Sequence, residues 1–249
     1  MDLGIYASGL LSHAGPVLSV FLAAFLQSLT GFGLVMIAAP LLMFFYEPKL
    51  TIAIMFFLAG CGNGAQLLLL WRQAQWLRVA ELACGALVGI PLGLAVFRHL
   101  PGGGLRIAVS IAILFTLVTM EISRKRFEET RRNTVLTGML AGIMAMTTGM
   151  GGPPLVLYFA YTSMPQPVFR ATCIGYFFFS NLCSLVALWI AGIPTGTVLG
   201  EVAYLLPGLA CGIACGHLAF RYIPQQLIRK VIMLLLYTTC LYNIGKALL

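Results

Sequence analysis

The sequence predicts an all-α polytopic membrane protein built from two inverted repeats, each a broken or re-entrant helical segment followed by three transmembrane helices. Three observations lead there. Of 249 residues, 60% are apolar and 9% charged, and mean hydropathy is +0.98, whereas soluble domains carry about 25% charged residues. Apolar runs near or beyond the roughly 18–20 residues that cross a bilayer recur along the whole chain, without the alternation of barrel strands. Finally, the chain repeats itself.

The segments follow in order. The first, 17–46, is 30 residues long, about 45 Å of helix and too long for one upright crossing of a core of about 30 Å. Its centre reads "TGFG" and a proline follows at Pro40, and both glycine and proline are poor helix formers. A hairpin turning at Thr30–Gly33 gives two legs of roughly 20 Å each, which pass mid-membrane without crossing. A tilted, broken crossing helix is the alternative. Segments 50–71, 79–97 and 105–120 complete the first repeat, residues 1–121. A basic linker, 122–133, leads into the second repeat, 134–249. Its segment 134–162 carries "TTGMGGPPLVLYF", and 171–191, 198–220 and 230–248 are its crossings.

At an offset of 118, Thr30-Gly31-Phe32-Gly33 aligns with Thr148-Gly149-Met150-Gly151, Asn63 with Asn181, Leu67 with Leu185 and Trp71 with Trp189. The offset then becomes 123. "GIPLGLAVFRHLPGGGLR" (89–106) matches "GIACGHLAFRYIPQQLIR" (212–229).

Positive charge orients the repeats. If all eight segments cross, the Lys and Arg residues divide eight against seven, which is no bias. If the two interrupted segments fold back, one side collects Arg72, Arg78, Arg124, Lys125, Arg126, Arg131, Arg132, Arg170, Arg221, Arg229 and Lys230. Lys49, Arg98, Arg106 and Lys246 stay on the other. Three crossings per half is an odd number, so the halves must be inverted. The basic loop "WRQAQWLR" against its uncharged counterpart "WIAGIPTG" agrees. This places the chain in a bacterial inner membrane with the linker cytoplasmic and both termini periplasmic. The N-terminus has no basic region before its apolar run, so no cleaved signal peptide is expected.

Two re-entrant tips would meet near the bilayer centre. Backbone outside helices is tolerated there only when it is buried or lines a cavity. Each leg after a break presents helix N-terminal N–H groups and a positive dipole end, which favour an anion. The candidate substrate-binding residues are Gln27, Thr30, Gly31, Phe32, Gly33, Asn63, Gln66, Thr147, Thr148, Gly149, Met150, Gly151, Gly152 and Asn181. Ser180 and Ser184 are the other polar residues at that depth. For the asparagines, an interhelical hydrogen bond that holds the bundle is an equal reading. No carboxylate falls at mid-membrane, so a Glu/Asp proton relay or sodium cage is not visible. Arg72, Arg98, Arg170 and Arg221 either draw anions to the mouths or snorkel as anchors, the commoner role.

Other functions find less support. The net charge of +8 sits at segment ends as in membrane proteins generally, so nucleic acid is not a partner. No GxxxxGK[ST], HExxH or GxSxG with a helical His partner occurs, so the protein reads as neither an ATPase nor an enzyme. No cofactor or metal is expected. Seven scattered cysteines form no disulfide framework. Cys211, Cys215 and His217 could mark a metal protein or membrane enzyme, against the plainer role of small residues packing helices. A passive anion channel with the same tips is the nearer rival. A homodimer, and a coupling ion that would be a proton or sodium, stay open.

"LTGFGLVMIAAPLL" and "TTGMGGPPLVLY", with "WRQAQWLR" and "GALVGIPLGLAVFRHLP" in this order, resemble the sulfite exporter TauE/SafE family over essentially the whole chain. The first tip departs from the family's GxGGG form, since it reads Gly31-Phe32-Gly33-Leu34. The resemblance implies a secondary transporter, an exporter by the family's description, of small anions such as sulfite or organosulfonates. The two inverted halves with the tips between them predict alternating access, one half rocking against the other.

The topology is testable. A C-terminal alkaline phosphatase fusion should be active and the matching green fluorescent protein fusion dark; the opposite result overturns the inverted arrangement.

Overall fold

The structure is a computed structural model that describes residues 13–30, 34–122, 130–159, 164–192 and 195–219, with residues 238, 242 and 245. Among the described residues there are nine helices and no strand: α1 Ala14–Thr30, α2 Leu34–Leu42, α3 Pro48–Leu70, α4 Trp76–His99, α5 Gly102–Ile122, α6 Arg131–Thr148, α7 Gly152–Phe159, α8 Gln166–Ile190 and α9 Thr195–Ala219. The expected last crossing, 230–248, lies outside the described residues.

Among the described residues, four helices are long and apolar enough to cross a membrane: Pro48–Leu70, Trp76–His99, Pro167–Ile190 and Gly196–Gly216. At 1.5 Å per residue they measure about 31–36 Å. Their outward faces carry Leu68, Leu69, Leu77, Trp189, Ile190 and Leu218, all more than two-thirds exposed, a surface suited to lipid.

Both interrupted segments fold back. In the first, a β-carbon on Gly15, at the start of α1, would lie 2.6 Å from the ring of Phe45, just past α2. In the second, the Tyr158 hydroxyl near the end of α7 is 2.9 Å from Thr134 Oγ1 near the start of α6. At the tip, Gly151 sits on Ala141 and Ala145 of α6. A continuous helix would carry residue 151 about 15 Å beyond residue 141, so α6 and α7 are antiparallel legs. The α7 leg is the shorter, with 8 residues against 18 in α6.

The bundle has two polar ends. At one, Tyr46 Oη donates to Glu201 Oε2 at 2.6 Å, His13 Nε2 lies 3.2 Å from the same oxygen, and Arg98 Nη2 donates to the Ala191 carbonyl at 3.0 Å. Burial and the Glu201 carboxylate raise the Tyr46 hydroxyl far above its ordinary pKa, so it stays a donor. At the other end, Arg78 Nη1 is 3.2 Å from Glu81 Oε2 and 3.0 Å from Thr134 Oγ1, and Arg131 Nε is 3.8 Å from Glu81 Oε1. Helix order places Arg72, Arg78, Arg131, Arg132 and Arg170 at this second end, and Lys49, Arg98 and Arg106 at the first. The charge division read from the sequence holds for these described residues.

Two seams of backbone contact join the helices. Along α4 and α6, β-carbons on Gly85 and Gly89 would strike the carbonyl oxygens of Val135 and Met139, and one on Gly93 would lie 2.7 Å from that of Ile143. Along α9 and α1, β-carbons on Gly208, Gly212 and Gly216 would lie 2.7, 2.5 and 2.6 Å from the carbonyl oxygens of Val17, Phe21 and Phe25. Residue numbers rise together across each seam, so the paired helices run parallel. The second seam copies the first at the two repeat offsets, 123 for the glycines and 118 for the carbonyls. Small residues admit this approach, and the Cα hydrogens face the oxygens.

Helices α3 and α8 form the central pair. Gly175 meets Leu67, Gly64 meets Phe178 and Gly60 meets Asn181, each from the position of its missing β-carbon at 3.8, 3.1 and 3.9 Å. Numbers fall on one helix as they rise on the other, so the pair is antiparallel.

Gly89→Ala should therefore destabilise the protein by about 1–3 kcal/mol, because backbone must shift. Gly200→Ala, on an open face of α9, should be neutral or gain up to about 1 kcal/mol of helix propensity. Thermal unfolding in detergent checks both.

Candidate substrate site

The second tip is built by local chemistry. Thr147 Oγ1 donates to the Ile143 carbonyl at 2.8 Å and Thr148 Oγ1 to that of Met144 at 2.7 Å, the back-bonding habit of helical threonine. Thr148 Oγ1 also accepts from the Met150 N–H at 3.2 Å. Gly149 ends α6 with φ +76° and gives its N–H to Ala145 at 2.7 Å, a left-handed cap that glycine adopts without strain. The Met150 side chain is buried.

Two donors are left over. Neither the Gly151 nor the Gly152 N–H gives a hydrogen bond to another group among the described residues. The next two residues, Pro153 and Pro154, have no N–H. The anion-binding capacity expected of this helix N-terminus thus narrows to Gly151, Gly152 and Leu155. Both threonine hydroxyl protons are held by carbonyls, so Thr147 and Thr148 shape the tip.

Gln27, in the last turn of α1, is buried, and Thr30 ends that helix. The Thr30 side chain and Gly31, Phe32 and Gly33 lie outside the described residues. The second tip does reach the first hairpin: a β-carbon on Gly149 would lie 3.1 Å from Cγ1 of Val35, in the first turn of α2.

Asn63 and Asn181 are buried on the facing helices α3 and α8. Asn181 Cβ is 3.9 Å from the β-position of Gly60, one turn from Asn63, so both asparagines share a layer. On α8, Phe177, Ser180, Asn181 and Ser184 stand three or four residues apart and form one stripe. Phe177 is at the tip, its Cζ 3.8 Å from the β-position of Gly152. The Ser184 hydroxyl is fully buried and has no hydrogen-bond partner among the described residues. Its spacing from Asn181 is the sequence signal that points to it.

Gln66 departs from this cluster. Its Nε2 donates to the Gly62 carbonyl at 3.3 Å and its Oε1 accepts from Arg170 Nη2 at 3.5 Å, toward the basic end. No group of three or more His, Cys, Asp or Glu suited to a metal occurs among the described residues. Cys211 and Cys215 are exposed, and the His217 side chain lies outside the described residues.

A helical bundle with an apolar exterior, buried asparagines on facing helices and a buried second hairpin tip has the features of an integral membrane protein. The family model described as Sulfite exporter TauE/SafE matches residues 17–243, and the chain belongs to that family of membrane transporters. Comparison with curated proteins and with solved structures finds no match.

Thr148→Ala should cost about 1–2 kcal/mol of thermal stability without any ligand, by losing the Met144 and Met150 bonds, while Thr148→Ser keeps most of it.

Proposed function

We propose that the chain is a secondary transporter that exports small sulfur oxyanions, sulfite or a small organosulfonate, through a site between the two hairpin tips. The observation that carries this reading is the pair of unengaged N–H groups at Gly151 and Gly152, at the N-terminus of a helix whose dipole favours negative charge. The Ser184 hydroxyl and the asparagine layer add neutral donors. Glu81 and Glu201 are at the bundle ends with cationic or phenolic partners, so no carboxylate of the described layer competes with an anion.

The inverted arrangement draws support from α3 and α8. Their contacts centre near Gly62 and Ser180, which are themselves 118 apart, as an axis relating antiparallel helices requires. With both segments re-entrant, the end bearing Arg72, Arg78, Arg131 and Arg170 is cytoplasmic by the positive-inside rule. A site reached in turn from each face then works by alternating access.

Counterflow of labelled sulfite in proteoliposomes tests this. Unlabelled sulfite inside should accelerate uptake; anion current without such acceleration would mean a channel, and no sulfite movement of either kind sinks the substrate assignment. Ser184→Ala should raise the sulfite KM about tenfold, the worth of one hydrogen bond to a charged group. The same variant should leave thermal stability unchanged or higher, since it removes an unpartnered buried hydroxyl.

A further inference from the structure

We infer that the units moving against each other during transport are not the two sequence halves but two bodies that cross them. One body is the first hairpin, α1–α2, with α9; the other is the second hairpin, α6–α7, with α4. The inference rests on the transporter reading above and deepens it by naming the parts that move.

The seams carry the argument. Six glycines put helix backbone directly on helix backbone, α4 on α6 and α9 on α1. In each seam the glycine helix comes from one repeat and the carbonyl helix from the other. Sliding by one residue would drive a side chain into a carbonyl, so each pair is held in a single register. Tightly packed contacts of this kind are bistable at most and do not deform continuously.

A polar clamp closes the outer end of each seam. Glu201 of α9 holds His13, beside α1, at 3.2 Å, and His13 stacks on Tyr204 at 4.8 Å. Glu81 of α4 holds Arg131 of α6 at 3.8 Å, and Arg78 reaches Thr134 at 3.0 Å. The clamps are repeat-equivalent although their chemistry differs: His13 corresponds to Arg131 at 118, and Glu201 and Tyr204 to Arg78 and Glu81 at 123. The same position is tied across the halves twice, by different residues.

The tips fall in different bodies. Gly149 against Val35 is thus a contact between moving parts, whose closest side-chain atom would be 3.1 Å from a β-carbon on Gly149. Motion of the bodies changes the separation of the tips and so opens or closes the anion site.

Double electron–electron resonance on spin labels at lipid-facing positions decides it. Leu18 on α1, Leu87 on α4 and Leu199 on α9 are all more than half exposed. Leu18/Leu199 spans the halves within one body, and Leu18/Leu87 lies within one half but spans the bodies. In nanodiscs, with protein shown by counterflow to exchange sulfite, adding sulfite should shift the Leu18/Leu87 distribution and leave Leu18/Leu199 in place. A shift of Leu18/Leu199 with Leu18/Leu87 fixed means that the halves move as units and overturns the proposal, as does no shift in either pair. Protein that exchanges no sulfite fails the transport assignment first, so the two failures are distinct. If a cysteine-free background does not fold, the same pairs on spin-labelled non-canonical amino acids in the otherwise wild-type chain give the same readout.

Discussion

Backbone-to-backbone contact along two glycine seams is the constraint on which the rest of the structure depends. Inside a bilayer there is no hydrophobic force to drive apolar helices together, so close van der Waals approach must hold them. Gly85, Gly89 and Gly93 provide it on α4, and Gly208, Gly212 and Gly216 on α9. Those seams fix α1 and α6, and through them the hairpins whose short second legs run from the tips back to the end where each hairpin began. Without that anchorage a leg of 8 residues such as α7 is too short to be stable alone.

The tip shows how a membrane protein makes a polar site from apolar sequence. Every donor around Gly149 is accounted for: its own N–H by Ala145, the Met150 N–H by Thr148, the threonine protons by carbonyls one turn back. Two prolines then delete the next donors, leaving the Gly151 and Gly152 N–H groups at the turn and that of Leu155 beyond them. An unsatisfied N–H in hydrocarbon costs several kcal/mol, so this pair is the costliest feature of the tip and the one on which the proposed anion site rests.

Much of this was legible from residues. The hairpins followed from an over-long segment with glycine at its centre, and the charge division followed from fold-back. The second glycine tip and the buried asparagine pair could be singled out because the repeat prints their positions twice. Other parts were hidden for physical reasons. Thr147 and Thr148 read as anion donors because composition does not say where a hydroxyl proton points, and helix geometry turned both toward the preceding carbonyls. Gln66 stood one turn from Asn63, but the length of Arg170 let a guanidinium from α8 reach it. Ser184 looked unremarkable until its burial without a partner became visible. The pairing of α4 with α6 and of α9 with α1 was beyond reach, since small-residue spacing identifies a sticky face and not its mate.

The crossed seams also govern how the chain is made. Residues 17 to 25 of α1 leave the ribosome early, yet the glycines that cover them, 208 to 216, come almost two hundred residues later. Until then the first hairpin stands in the membrane with one face bare, and long-range pairing of this kind is slow to form. A chain cut at the linker would leave Gly85, Gly89 and Gly93 facing lipid and α1 without its cover, so neither repeat is a folding unit. Two separately made halves could assemble only by exchanging these helices, which makes the protein, in its connectivity, a domain-swapped dimer written on one chain.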